Sequence, residues 1–194
     1  MASSFCAEYL SPYRDSVVAA ISRLGRQIEE AVISLNKIGA PFALIGGLAL
    51  APHKVIRATQ DVDLLTAADK ADEIDRELTA LGYRCLYRSA DAGNYLRADE
   101  RIDFLYASRP AAKQMLVTAP ELETAFGRLR VVRAEGLIGL KLQGFVNNPR
   151  RTQDLEDIRA LLKANRPTLN LQEVREYFAL FGREPMLDDL LNEG

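Results

Sequence analysis

Residues 46–65 read GGLALAPHKVIRATQDVDLL. The two glycines close an apolar run over 42–45 that has the length and content of a short buried strand. Asp61 and Asp63 then flank Val62 at the head of a second apolar run. Residues i and i+2 of a strand share a face, so Asp61 and Asp63 project together while Val62 and Leu64 point into a core. Two carboxylates held that close repel each other unless a cation sits between them. Mg²⁺ takes oxygen ligands, typically one or two carboxylates together with substrate phosphates. A further carboxylate comes from Asp103, the one acid in the apolar run 102–106. If that run lies beside the first as a strand, Asp103 completes a three-carboxylate cluster able to hold two metal ions. Two ions about 3.5–4 Å apart clamp the attacking and leaving oxygens of a phosphoryl displacement. Gly46-Gly47, ending a strand and opening a helical turn, lets a phosphate approach the backbone closely.

The surrounding pattern supplies a scaffold. Apolar residues recur at helical spacing over 15–37, and Gly39 stands where a glycine ends a helix. A short helical turn is expected over 48–53, a strand over 61–65 and a helix over 68–81 with Gly82 after it. Strands follow over 83–87 and 101–106, with SADAGN as the loop between them and a short strand around Tyr95-Leu96. A hairpin is expected around Gly127 within 122–132, then helices over 134–146, 153–163 and 171–181 and a short one over 186–191. That order predicts an α/β (α+β) core of mixed strands flanked by helices, with a helical C-terminal portion. The turn-rich Asn147-Asn148-Pro149 divides the expectation into a catalytic core with its N-terminal helix, 1–146, and a helical portion packed on it, 147–194.

Composition limits the function. The chain has 194 residues, 48% hydrophobic and 27% charged, with a formal net charge of −2, so the whole molecule has no general attraction for nucleic acid. The charge is uneven: six basic residues face one acidic over 126–151, and five face nine over 152–194. The first segment is a candidate anion-facing surface, its plainer reading a solvated face. Cys6 and Cys85 lie far apart and form no Cys/His cluster, which argues against zinc and suits a reducing compartment. The start, MASSFCAEYLSPYRDS, lacks the basic-then-apolar order of a leader. The longest apolar run is too short to span a bilayer. The expectation is a cytoplasmic protein with no membrane partner.

Ile45-Gly46-Gly47, then Asp61-Val62-Asp63, then Asp103 resembles the DNA polymerase β-like nucleotidyltransferase superfamily. Arg57-Ala58-Thr59-Gln60-Asp61-Val62-Asp63 is similar to the version found in small bacterial nucleotidyltransferases of toxin–antitoxin and abortive-infection systems. LIGLKLQGF and RRTQDLEDI resemble their looser C-terminal signature. The resemblance covers 42–162 and implies a nucleotidyltransferase-like mixed sheet and transfer of a nucleoside monophosphate from an NTP to an acceptor hydroxyl. It implies two Mg²⁺ ions, with Mn²⁺ as a substitute, on Asp61, Asp63 and Asp103, the last also helping to activate the acceptor hydroxyl. Gly46 and Gly47 would contact the nucleotide phosphates, and Arg57, Thr59, Lys141 and Asp154 join them in the nucleotide-binding set. Arg57 has two expected partners, a phosphate or Asp61. Lys141 is a lone cation on an apolar helix face, read as a snorkelling lysine by its surroundings and as a point charge on a triphosphate by the resemblance. Asp154 and Asp157 share a helix face; they read either as an exposed helix start or, for Asp154, as the group that orients Lys141 or Arg151. His53, the only histidine, reads as a loop residue.

Two acceptor classes follow. A toxin-like enzyme modifies tRNA or a protein and has a cognate antitoxin as partner. A resistance-like enzyme modifies a small hydroxylated molecule such as an antibiotic. A non-catalytic binding subunit on the same fold is the remaining alternative. No base-stacking motif identifies the nucleotide.

Overall fold

Strand β2 (Val62–Ala67) is the centre of the molecule. It pairs antiparallel with β1 (Phe42–Leu44) on one side and parallel with β5 (Glu100–Ala107) on the other. β4 (Ala92–Arg97) and β3 (Arg84–Arg88) continue the sheet antiparallel, giving a five-stranded mixed sheet of order β1-β2-β5-β4-β3. The computed structural model describes residues 11–193, with side chains from residue 23 onward. Cys6 and the first ten residues lie outside the described residues; Cys85 is an exposed free thiol on β3.

Period-two alternation assigns the two sheet faces. Phe104 of β5 meets Ala31, Leu35, Ile74 and Leu78, so one face packs against α1 (Ser11–Lys37) and α2 (Ala71–Ala80). Leu24, Ile28, Ala31 and Leu35 form the buried stripe of α1. Gly39, at φ +62°, then lets the chain turn into β1. Asp63, Asp103 and Leu105 belong to the opposite face, where α4 (Ala134–Asn147) lies across the sheet. A hairpin, β6 (Glu121–Thr124) with β7 (Gly127–Arg130), continues into Val131, which bridges Leu44 at the free side of β1.

Two expectations needed correction. The SADAGN loop, 89–94, ends at Asp91: its second half joins the short strand expected around Tyr95-Leu96 to form β4. Gly93 and Asn94 are poor strand formers, but Gly93 is required because a Cβ there would lie 2.5 Å from the Tyr106 hydroxyl. The second is α3 (Pro110–Thr118), absent from the sequence reading. It buries only Met115 and Leu116, and Val117 points to solvent, so it carries almost no helical periodicity.

After α4 the chain turns at Asn148 and forms α5 (Thr152–Asn165), α6 (Leu171–Leu180) and α7 (Glu184–Asn192). Two glycines of α4 allow close packing of these helices. A Cβ at Gly139 would meet the Tyr177 ring at 2.9 Å, and one at Gly144 would meet Asp154 Oδ2 at 2.7 Å. No helix among the described residues is long and apolar enough to cross a membrane.

Candidate active site

The carboxylates of the two strands meet as the alternation requires. Asp63 and Asp103 are direct partners in the parallel ladder between β2 and β5. Asp61 lies just before β2 and acts on Asp63 through its charge. Burial, then the neighbouring Asp103 charge, push the Asp63 carboxyl up to about 6; Lys141 opposes them, Asp61 adds to them, and a hydrogen bond from the Gly47 backbone N–H opposes them. The structure thus brings carboxylate oxygens, the hard donors a divalent cation takes, to one spot. As arranged, however, no group of three His, Cys, Asp or Glu side chains among the described residues can hold a metal. Arg101 Nε donates to both oxygens of Asp103, at 3.0 and 3.1 Å, so a guanidinium already neutralises that carboxylate.

The two glycines have separate steric tasks. Gly46 has φ +65°, and a Cβ there would fall 2.0 Å from Asp63 Oδ2. Any side chain at this position displaces the carboxylate. A Cβ at Gly47 would lie 2.8 Å from Arg57 Nη2 and 2.9 Å from Thr59 Oγ1. The Gly-Gly pair and the Arg-Ala-Thr stretch therefore close on one another. The helical turn after them, Leu48–His53, is a six-residue 3-10 turn. The Gly47 N–H, expected to face a phosphate, turns to Asp63 instead.

Arg57 takes neither of its expected partners. Its Nε lies 3.5 Å from Asp157 Oδ1, a residue one hundred positions further along. Asp157 is 2% exposed and Asp154 3%, which overturns the exposed-helix-start reading of that pair. Lys141 lies between them, with Nζ 3.1 Å from Asp154 Oδ1 and 2.7 Å from Asp157 Oδ2. The Asp157 contact is an ion pair off the hydrogen-bonding direction, since this oxygen makes no hydrogen bond. Lys141 is itself buried and does not snorkel. Asp154 holds both cations considered for it: Oδ1 faces Lys141 and Oδ2 lies 2.6 Å from Arg151 Nε. This buried network ties α4, α5 and the Arg57 segment together.

These groups open into one cavity of about 290 Å³, with Gly46, Asp63 and Asp103 on the sheet side and Lys141, Arg151 and Asp154 on the helix side. Gln143 and Asn147 also line it and were missed; they follow Leu140 at i+3 and i+7 on the α4 stripe that helical spacing marks. Arg101 was missed too, although i and i+2 alternation places it on the face of Asp103. His53 ends the 3-10 turn, its Nε2 2.9 Å from the Val132 carbonyl oxygen, and burial lowers its pKa. Its backbone oxygen accepts from Asn165 Nδ2 at 2.9 Å, a structural tie away from the carboxylates.

The basic run over 126–151 forms no anion-facing stripe. Arg128 lies 3.5 Å from Glu121, Arg130 donates to the Leu116 carbonyl oxygen at 2.6 Å, and Arg133 pairs with Glu173. Lys141 and Arg151 hold Asp154. Four of the six cations are thus paired with carboxylates, Arg130 is held by backbone carbonyls, and Arg150 alone has neither kind of partner among the described residues.

No family model and no curated protein matches this chain. Solved structures do. The antibiotic-resistance factor ANT(2'')-Ia in solution matches with TM-score 0.66 and 19% identity over 89% of this chain and 99% of that one. A crystal structure of ANT(2'')-Ia in complex with adenylyl-2''-tobramycin matches with TM-score 0.63 and 18% identity, over 82% and 97% of the two chains. The lincosamide antibiotic adenylyltransferase LnuA, lincomycin-bound, matches with TM-score 0.52 and 11% identity, over 70% and 94%. With its mixed sheet, flanking helices and helical C-terminal portion, the chain has the nucleotidyltransferase fold.

Proposed function

We propose that this protein is a metal-dependent nucleotidyltransferase that transfers a nucleoside monophosphate from an NTP to an acceptor hydroxyl and releases pyrophosphate. The observation that supports it most is the ladder pairing of Asp63 with Asp103, opening with Gly46 and Lys141 into one cavity. Asp61, Asp63 and Asp103 are the residues that would hold Mg²⁺ or Mn²⁺, and bound metal would supply the charge that polarises the transferred phosphoryl group. The chain's own residues do the rest. Gly46 at the cavity, with Gly47, Arg57 and Thr59 packed beside it, would receive the triphosphate once it displaces the side chains that close on the glycines. Lys141 adds positive charge beside Asp63. Asp103 accepts the acceptor's hydroxyl proton as that oxygen attacks the α-phosphorus and the bond to pyrophosphate breaks. In-line displacement needs positioning and charge neutralisation above all.

Between the acceptors, a small hydroxylated molecule is favoured. The Arg-x-Thr-x-Asp motif argues for a toxin-like enzyme acting on tRNA or a protein, with a cognate antitoxin as partner. Four of the six cations of the basic run, however, are paired with carboxylates within the chain, which breaks it up as a positive stripe for RNA. ANT(2'')-Ia and LnuA, a resistance factor and an antibiotic adenylyltransferase, share the fold.

The test is incubation with each of the four labelled NTPs and Mg²⁺, offering total RNA, cell protein or a small-molecule extract. Label should move to the small-molecule fraction, and the Asp61→Asn/Asp63→Asn double mutant should move none. Label on RNA or protein, with growth arrest on induced expression, would instead establish the toxin-like acceptor. If no NTP is used and neither metal nor NTP shifts the melting temperature, the fold serves as a binding subunit.

A further inference from the structure

A second cavity, of about 140 Å³, adjoins the catalytic one. Leu105, Leu140 and Gln143 line both, so the two are neighbours across a shared wall. We infer that this second cavity receives the acceptor, and that the acceptor is a small neutral molecule carrying a ring-sized apolar group beside its reactive hydroxyl. The inference rests on the nucleotidyl-transfer reading and adds the substrate class.

Position is the first argument. Gly46 follows β1, Asp63 is on β2 and Asp103 on β5, in the spatial order β1-β2-β5-β4-β3. The second cavity starts at Leu105 on β5 and runs to Asp91, just before β4. It thus lies on the side of the carboxylates away from the glycines. In-line transfer puts the incoming oxygen opposite the leaving pyrophosphate. If the triphosphate lies on the glycines, the acceptor must enter from the β5 side. Its oxygen forms the new bond to the α-phosphorus, the electron pair of the broken bond leaves with pyrophosphate, and the hydroxyl proton goes to Asp103.

The lining gives the chemistry. Met115 of α3 and the Tyr177 and Phe181 rings form apolar walls. Tyr177 donates its hydroxyl to Glu173 Oε1 at 3.2 Å and packs part of its ring on Gly139, the remainder lining the cavity. Leu180, at the same cavity, is 69% exposed, an apolar side chain that an occupant would cover. The charged groups at the cavity are Asp91 and Arg109, 3.7 Å apart and paired with each other. A neutral mouth draws neither a polycation nor a polyanion. A cavity of about 150 Å³ holds benzene, so this one has room for a single ring. Gln143, shared with the catalytic cavity, is the one neutral amide placed to orient a polar group at the junction.

The test uses 2-phenylethanol, a ring of this size bearing a hydroxyl, with glycerol and spermidine as comparisons and saturation-transfer NMR as readout on the full chain. We expect 2-phenylethanol to bind and the other two not to. Ala112→Phe, which fills the cavity from α3, should weaken binding at least tenfold, and Ala112→Ser should leave it within twofold. If Ala112→Phe melts early, Phe181→Ala, which removes a wall, should weaken binding at least fivefold. A non-transferable NTP analogue should leave the ring bound. Failure of 2-phenylethanol to bind, unchanged binding in the filled variant, or displacement by the analogue (the cavity then holding the nucleobase) would each overturn the inference. NTP-linked stabilisation measured alongside separates the two readings. If NTP stabilises the protein but the ring does not bind, only the acceptor assignment falls. If the ring binds but no NTP stabilises or reacts, nucleotidyl transfer falls, and the acceptor assignment falls with it.

Discussion

Asp63→Asn should make the metal-free protein more stable at neutral pH while abolishing transfer. The folded Asp63 carboxyl titrates at about 6 against an ordinary value of 3.8. Between those values the folded state binds the proton more tightly than the unfolded chain, so stability falls as pH rises through about 4 to 6. The penalty is absent below about pH 4 and complete above about pH 6. Two units of pKa correspond to roughly 3 kcal/mol. Asp63 keeps some contact with solvent, and an asparagine amide must find its own partner beside Gly46, so we expect a net gain of about 1–2 kcal/mol. For a chain of this length that is a rise in Tm of roughly 2–8 °C. The assay is thermal melting of both proteins in EDTA at pH 7.5 and pH 4, with the difference expected to vanish at the lower pH. A variant that melts at or below the parent temperature at pH 7.5, or a gain that persists at pH 4, would refute the claim that burial and the neighbouring carboxylate strain this site.

Three other perturbations follow from the same geometry. Lys141→Met leaves Asp154 and Asp157 buried around no ammonium and should cost about 3–5 kcal/mol in urea unfolding; adding Asp154→Asn and Asp157→Asn should recover at least half. Gly46→Ala drives a methyl into Asp63 at a positive φ and should cost over about 2 kcal/mol by the same measurement, whereas Gly39→Ala, with nothing within 4 Å, should cost only the backbone strain of about 1 kcal/mol. Arg101→Gln removes the guanidinium that neutralises Asp103. Mn²⁺ affinity in an electron-spin-resonance titration should rise roughly two- to fivefold, the equivalent of the 0.5–1 kcal/mol of a part-exposed ion pair, and an unchanged affinity would show that Arg101 does not compete with the metal.

The parts of the site visible in the sequence are those fixed by short-range periodicity. Asp63 and Asp103 could be placed together because a strand alternates every two residues, and the outcome needed only that β2 and β5 be neighbours, which they are; Asp61, expected in the same strand, falls just before β2. The steric reason for Gly46 lay partly in view, since a glycine at a strand end signals close approach; that the approaching group is the Asp63 carboxylate, and not only a ligand, required the fold. Arg57 shows the limit. Its choice between a phosphate and Asp61 was drawn from nearby residues, but its partner is Asp157, brought there by α5 packing on α4, and no local pattern encodes such a contact. The pair Asp154 and Asp157 was legible as a shared helix face but not as a buried one. Acids in the first turn of a helix usually complement its dipole in water, and only the tight approach allowed at Gly144 brings Asp154 inside. The same reasoning applies to Lys141. A lysine on an apolar face is stable when its ammonium reaches water or a carboxylate, and sequence cannot distinguish these outcomes. Here two carboxylates from the next helix complete the shell, so this wall of the cavity consists of charges that already neutralise one another. Under the proposed function, a nucleotide entering the cavity would exchange those internal partners for its own phosphates and metal, and the side chains packed on Gly46 and Gly47 would have to shift with them.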